Sequence, residues 1–225
     1  MAQPIISFNN VSKRYPGGRE ALSGINLDVE PGEFVLLTGH SGAGKSTLLK
    51  LIAAIERVSG GTLLVNGQNV SSLGGRGIPY LRRNLGLVFQ DQKLLFDRNV
   101  FDNVLLPMLV TGQPPGESTK RVRAALDKVG LLDRERANPV ALSCGEQQRL
   151  CIARAIVNRP AILIADEPTA SLDDEYAESI MEMFRSFNQV GVTVLIASHD
   201  RDLISRSKPR VILLSHGRLA GDPVP

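Results

Sequence analysis

Lys45 lies in a glycine-rich run, Gly39-His40-Ser41-Gly42-Ala43-Gly44-Lys45-Ser46-Thr47, that has the spacing of a phosphate-binding loop: Gly, four residues, then Gly-Lys-Ser/Thr. Glycines let consecutive backbone N–H groups turn inward around phosphate oxygens. A helix opening near Lys45 aims its positive end at the same anion. Lys45 adds a point charge for the β- and γ-phosphates, and Ser46 offers a hydroxyl to Mg²⁺. A second element of such chemistry is Ile162-Leu163-Ile164-Ala165-Asp166-Glu167, an apolar run ending in two carboxylates. Asp166 is placed to hold the metal through water. Glu167, one residue on, is placed to orient or deprotonate an attacking water. No Asn-Lys-x-Asp run occurs, so nothing points to guanine. Tyr15, in the turn-rich Tyr15-Pro16-Gly17-Gly18, is open to two readings from the residues alone: a ring that stacks on adenine, or a partly buried core ring.

These residues need a scaffold. Phe34 to Thr38 is a continuous apolar run ahead of the glycine loop, as expected of a strand buried on both faces. The pattern Ser46 to Ala54 reads as the helix behind the loop. Leu85 to Phe89, Ala161 to Ala165 and Val192 to Ala197 are further buried-strand runs, and Glu175 to Asn188 is an amphipathic helix between the last two. Val211 to Leu214 is expected to close the sheet. Strands alternating with helices imply an α/β fold, a mostly parallel sheet with helices on both faces. Alternation around Ile6, Phe8 and Val11, and again at Ile25, Leu27 and Val29, predicts two antiparallel strands before the glycine loop. Thr62 to Val65 with Asn66-Gly67 reads as a further strand and its turn. Residues 91–158 are mostly helical in period, broken by Pro107 and by the loop Thr111 to Gly116, and read as an inserted helical subdomain.

Bulk properties fit one such domain. The 225 residues are 43% hydrophobic and 22% charged, ample for a core, and a net charge of +3 is spread over a mixed surface. The longest apolar runs, Val104 to Val110 and Ala161 to Ala165, fall short of the roughly 20 residues of a membrane span. Met1 to Asn10 lacks the basic and apolar regions of a signal peptide, so a cytoplasmic protein is expected. Cys144 and Cys151, on one helix, would lie about 10 Å apart, too far for a disulfide; free thiols are expected.

Leu142-Ser143-Cys144-Gly145-Glu146-Gln147-Gln148-Arg149 resembles the signature sequence of ABC ATPases, a loop opening a helix. Physically it is a second anion site, built from the Ser143 hydroxyl and N–H groups at a helix start. Other stretches fall in that family's order: Gln90 after Leu85 to Phe89 resembles the Q-loop glutamine, Ser171-Leu172-Asp173 the D-loop, His199 the switch histidine, and Tyr15 the adenine-facing aromatic. The resemblance spans essentially the whole chain. It implies a P-loop NTPase fold of the ABC nucleotide-binding type. In that fold an N-terminal antiparallel β subdomain and an α-helical subdomain at about 91–158 are set on a core formed by about 1–90 and 159–225. It implies ATP hydrolysis with ATP and Mg²⁺ as cofactors. Glu167, His199, Gln90 and Lys45 would be catalytic, with Ser46, Gln90 and Asp166 at the metal. Tyr15 and the run Gly39 to Thr47 would hold the nucleotide, together with Ser143, Gly145 and Glu146 of a second copy. The implied assembly is a two-fold homodimer, with each ATP between the P-loop of one subunit and the signature of the other.

Within the family, Gly39 to Lys50, Ile78 to Leu95, Ala125 to Asp133, Gly191 to Val194 and Leu203 to Arg206 are similar to the FtsE type of cell-division ATPase. That implies an FtsX-like integral membrane partner and a peripheral place at the cytoplasmic face of the bacterial inner membrane, at the septum. It implies control of peptidoglycan hydrolases, with FtsZ among possible contacts and no nucleic acid. The region Gln90 to Leu109 would receive the membrane partner's coupling helix. Two alternatives stay open: the ATPase of a lipoprotein-release or macrolide-efflux system, and a soluble ABC factor in DNA repair or translation. The latter usually carries coiled-coil insertions or tandem ATPase units, and this sequence has neither. Two departures are Ala170-Ser171, where Gly-Asn is expected, and Cys144, where the signature has glycine. A position needing φ > 0 would make Cys144 costly, whereas helix-start geometry would accept it.

Overall fold

Three of the apolar runs pair side by side because each offers hydrophobic groups to both faces. In the computed structural model, which describes residues 3–170, 172–199 and 209–220, the strands β1 (Ile6–Arg14), β2 (Glu20–Val29), β3 (Phe34–Thr38), β4 (Gly60–Val65), β5 (Gln68–Asn69), β6 (Leu85–Val88), β7 (Ile162–Asp166), β8 (Thr193–Ala197), β9 (Arg210–Ser215) and β10 (Arg218–Leu219) form two sheets. The larger has the order β10-β9-β3-β8-β7-β6 and is parallel except for its last hairpin. The smaller, β2-β1-β4-β5, is antiparallel.

Period-two alternation divides the core. Leu36, Leu163, Val194 and Ile196 face one hydrophobic cluster, while Val35, Leu37, Ile162, Ile164 and Leu195 face another. The first cluster is covered by α3 (Val100–Val110), α4 (Pro115–Lys128), α5 (Cys144–Ile156) and α6 (Asp174–Gln189). The second is covered by α1 (Lys45–Ile52), α2 (Ile78–Arg83) and the antiparallel sheet, with Phe8, Leu48 and Leu63 among its buried residues. The sheet is thereby sealed on both faces, and its C-terminal edge is left to the loops that carry the site.

Two local expectations change. Pro107 does not break the helical pattern: α3 runs through it to Val110. The ring removes one backbone hydrogen bond near the helix end. Burial of Val100, Val104 and Met108 holds the helix, and the Thr111 hydroxyl closes its last turn on the carbonyls of Pro107 and Met108, both at 3.0 Å. Nor does Val211 to Leu214 close the sheet. His216 and Gly217 take φ of 48° and 74°, which folds back β10 as an outer strand beside β9. The turn at Asn66-Gly67 has the left-handed pair expected of it, φ 47° and 74°. Both cysteines lie on α5 as free thiols, Cys144 exposed and Cys151 buried. Ser171, the stretch Leu203 to Arg206 and the tail from Gly221 lie outside the described residues.

Candidate active site

The loop between β3 and α1 is shaped by close approach. A Cβ on Gly39 would sit 2.1 Å from the Leu214 carbonyl oxygen, and one on Gly44 2.7 Å from that of Ala21. Only glycine lets the chain pass between β9 and β2 at these points. Lys45, 8% exposed, donates from Nζ to the Gly39 carbonyl at 2.8 Å and lies 3.7 Å from Glu167 Oε1. An ammonium this buried is held by its own loop and by one carboxylate until a stronger anion arrives.

Glu167 follows β7 directly. Its φ is 49°, the left-handed region that an L-residue enters at a cost of about 1–2 kcal/mol. Its N–H donates to the Ala197 carbonyl at 2.8 Å, which fixes the turn out of β7 against the end of β8. The exit of β8 also delivers His199, whose Nδ1 donates to Glu167 Oε2 at 2.9 Å. Glu167 thus contacts Lys45 through one oxygen and His199 through the other, with the Glu167 side chain 13% exposed and that of His199 67% exposed. A carboxylate flanked by an ammonium and an imidazole can accept a proton from water without itself sitting in bulk solvent.

Asp166 is the last residue of β7. Burial pushes its carboxyl above the usual range, while the Ser46 hydroxyl bonded to it acts in the opposite sense. Its Oδ1 is buried and has no partner. An orphaned carboxylate oxygen beside a hydroxyl is an oxygen-donor set suited to a hard divalent cation held mainly by substrate phosphates. No cluster of three or more His, Cys, Asp or Glu occurs among the described residues, so no all-protein cage competes with that arrangement.

Tyr15, Gly39 to Thr47, Gln90, Glu167 and His199 line one open cleft of about 540 Å³. Of the two readings of Tyr15, the structure gives a half-buried ring at the cleft wall, with its hydroxyl 3.4 Å from Thr47 Oγ1 and Lys13 Nζ 4.8 Å from its centroid. The His40 ring is held by its neighbours: Nδ1 donates to the Ser41 carbonyl at 2.8 Å, and Nε2 accepts the His216 N–H at 3.4 Å. Arg19 and Ala170 also line the cleft. Arg19 is not among the residues expected at the site, and its signal in the sequence is a cation four residues after Tyr15 in the same turn.

Ser143, Gly145 and Glu146 do not line this cleft. They form the start of α5, where Ser143 Oγ accepts the Glu146 N–H at 3.2 Å and Glu146 Oε2 accepts the Ser143 N–H at 2.8 Å. The capping box pairs the two ends of this first turn reciprocally, Ser143 with the Glu146 backbone and Glu146 with the Ser143 backbone. The Ser143 N–H holds the Glu146 carboxyl below its usual range. Gly145 packs on the Tyr176 ring. Cys144 is the first residue of α5 and is absent from the positive-φ residues, so helix-start geometry accepts it without strain. Gln90 faces two spaces, the nucleotide cleft and a neighbouring groove of about 420 Å³ that reaches Phe96, Cys144 and Leu172. Asp173, of the expected D-loop, caps α6 by accepting the Tyr176 N–H at 3.1 Å.

The ABC transporter family matches residues 22–170. The cell division ATP-binding protein FtsE of Escherichia coli (strain K12) is 54% identical over 217 residues, covering 96% of this chain and 98% of its own. FtsE of Bacillus subtilis (strain 168) is 42% identical over 218 residues, covering 97% and 96%. Among solved structures, a dimeric ATP-binding cassette in a post-hydrolysis state bound to ADP and Pi superposes with a TM-score of 0.87 at 32% identity, covering 96% of each chain. The cbiO1 protein of Clostridium perfringens, part of the ABC transporter complex cbiONQ, superposes with a TM-score of 0.88 at 32% identity, covering 97% and 87%. A family match over residues 22–170 and relatives 42–54% identical along nearly the whole chain make one assignment: the chain belongs to the ABC transporter family of ATPases, in its FtsE group.

Proposed function

We propose that this ATPase is the cytoplasmic, membrane-peripheral subunit of an FtsEX-type complex. It would work as a homodimer that closes on two ATP and opens on hydrolysis. The observation that carries the reading is the incompleteness of the cleft. It gathers Lys45, Gln90, Glu167 and His199 on one side, while the second anion site at Ser143, Gly145 and Glu146 stands apart from it in the same chain. A second copy turned two-fold would bring its signature over this cleft, and each nucleotide would then be covered from both sides.

In that closed site Lys45 would trade the Gly39 carbonyl and Glu167 for the β- and γ-phosphates. Backbone N–H groups of Gly42 to Thr47 would cradle the same oxygens, and Tyr15 would stack on adenine. Ser46, Gln90 and Asp166 would hold Mg²⁺, which fits the orphaned Asp166 oxygen and would neutralise charge on the phosphates. Glu167 would take the proton from the attacking water, and His199 would keep the carboxylate aimed and contact the γ-phosphate. Loss of the phosphate removes the contacts that favour the closed form, so the dimer opens.

The membrane partner would be FtsX-like, with its coupling helix received around Gln90 to Leu109. The groove beside Gln90 and the exposed side chains of Phe96 and Leu109, 51% and 54% exposed, support this. Division at the septum, activation of peptidoglycan hydrolases and contact with FtsZ follow the same reading. The test is to lock tagged Glu167→Gln protein with ATP in host membranes and identify what co-purifies. A four-span protein whose depletion makes cells filament supports the division role. A lipoprotein-releasing or drug-efflux permease, or no membrane protein at all, overturns it.

A further inference from the structure

Helix α5 is engaged at both ends. Its first turn carries the signature residues, with Ser143 as cap. About three turns on, roughly 16 Å along the axis, the Arg154 guanidinium grips the segment that follows Gln90. Arg154 Nη1 donates to the Lys93 carbonyl at 2.7 Å, and Nη2 donates to the Gln92 carbonyl. The Cys151 thiol donates to that same Gln92 carbonyl at 3.4 Å, and the Gln92 side-chain amide donates to Gln148 Oε1 at 3.3 Å. Three side chains of one helix therefore hold one short piece of loop.

That loop does not rest in a relaxed shape. Lys93 has a φ of 51°, a left-handed conformation that a lysine adopts only when its surroundings enforce it. The carbonyl of this same residue is the one that Arg154 Nη1 holds. Arg154 suits the task because a planar fork addresses two successive carbonyls at once, whereas an ammonium is a single point.

We propose that Arg154 is a positioning residue for hydrolysis: it fastens the loop bearing Gln90 to the signature helix, so that Ser143 and Gln90 move as one body. A displacement of Ser143 by the nucleotide it meets in the dimer is then delivered, through one rigid helix, to the glutamine in this subunit's own cleft. The inference rests on the proposed roles of Gln90 and the signature, and it adds a residue that touches neither nucleotide.

The test uses the full chain with Arg154→Lys, Gln90→Ala and the double variant. Thermal unfolding, affinity for a fluorescent ATP analogue and steady-state ATPase rates are measured for each. For Arg154→Lys we expect the unfolding midpoint and nucleotide affinity to stay near those of the unsubstituted protein. We expect kcat to fall roughly tenfold to hundredfold, the loss that goes with misplacing a working group by about an ångström. The double variant should turn over no more slowly than Gln90→Ala alone, because both changes remove the same placement. Multiplying losses in the double variant would overturn the inference, as would an Arg154→Lys protein whose affinity and kcat fall together or whose kcat does not fall. If Gln90→Ala itself hydrolyses ATP at the unsubstituted rate, the role of Gln90 fails, and the inference fails with it for that separate reason.

Discussion

Glu167→Gln changes one atom and one charge at the most strained point of the site. The carboxylate lies 3.7 Å from Lys45 Nζ and 2.9 Å from His199 Nδ1. At an effective dielectric constant of about 20, unit charges at the Lys45 distance attract by about 4 kcal/mol gross, before desolvation is counted. The amide keeps the volume and can still accept from His199, so the left-handed turn and its bond to Ala197 are kept. Two consequences follow. Lys45 loses its resident anion and is freer to meet a phosphate, and an incoming triphosphate no longer faces a carboxylate; ATP binding is therefore maintained or tightened. On the role proposed for Glu167, the proton acceptor for water is gone, which removes a contribution of about 10²–10⁴ in rate. Phosphate release and size-exclusion chromatography with light scattering check both. We expect turnover to drop by at least about a hundredfold, with a dimer in excess Mg-ATP and a monomer without it. Turnover within about threefold of the unsubstituted protein would show that Glu167 is not the base, and a monomer in excess Mg-ATP would break the link between the carboxylate and dimer opening.

Lys45→Ala should act on binding itself: one charge-assisted contact is worth about 1.5–3 kcal/mol, so calorimetry should find ATP affinity reduced by about tenfold or more. The two thiols should separate sharply, since Cys144 is exposed whereas burial pushes Cys151 from 9.0 up to about 11. Mass spectrometry after alkylation at neutral pH should find one label on the native protein, at Cys144, and two in denaturant; two labels on the folded chain would contradict the burial. The same shift means the folded chain keeps a proton that the unfolded chain loses, so stability should decline as pH climbs from about 9 towards about 11, which denaturant titrations at stepped pH would detect. Asn103 is fully buried, and its side chain bonds the N–H and the carbonyl of Leu95 at 2.9 Å each. Asn103→Ala leaves the Leu95 N–H unpaired and should cost about 2–4 kcal/mol, or about 5–10 °C in melting temperature.

What the sequence discloses here is whatever depends on neighbours along the chain. The phosphate loop is contiguous, needs particular residue types for local reasons, and sits between a strand and a helix whose patterns are also local. The carboxylate pair at Asp166 and Glu167 is readable for the same reason, since an apolar strand must end somewhere and these acids end it. Cys144 marks the border. Its residue type raised a question about backbone sign that only φ answers, and the capping box at Ser143 and Glu146 supplies the answer. Beyond that border, side chains bond to main-chain atoms. The Arg154 grip on Gln92 and Lys93, and the Asn103 bonds to Leu95, leave no mark in the partner's residue type, because every residue has a carbonyl. Pro107 fails as a breaker for a related reason: its penalty is fixed by the residue, while the burial that offsets it belongs to the packed core. The proposed dimer belongs to neither class. It is suggested by surplus, since one chain carries both the phosphate loop and a signature-like helix start, and a single cleft gathers only the first. A sequence can thus announce an assembly that a single copy of its fold leaves half-built, provided the unused half is itself a local motif.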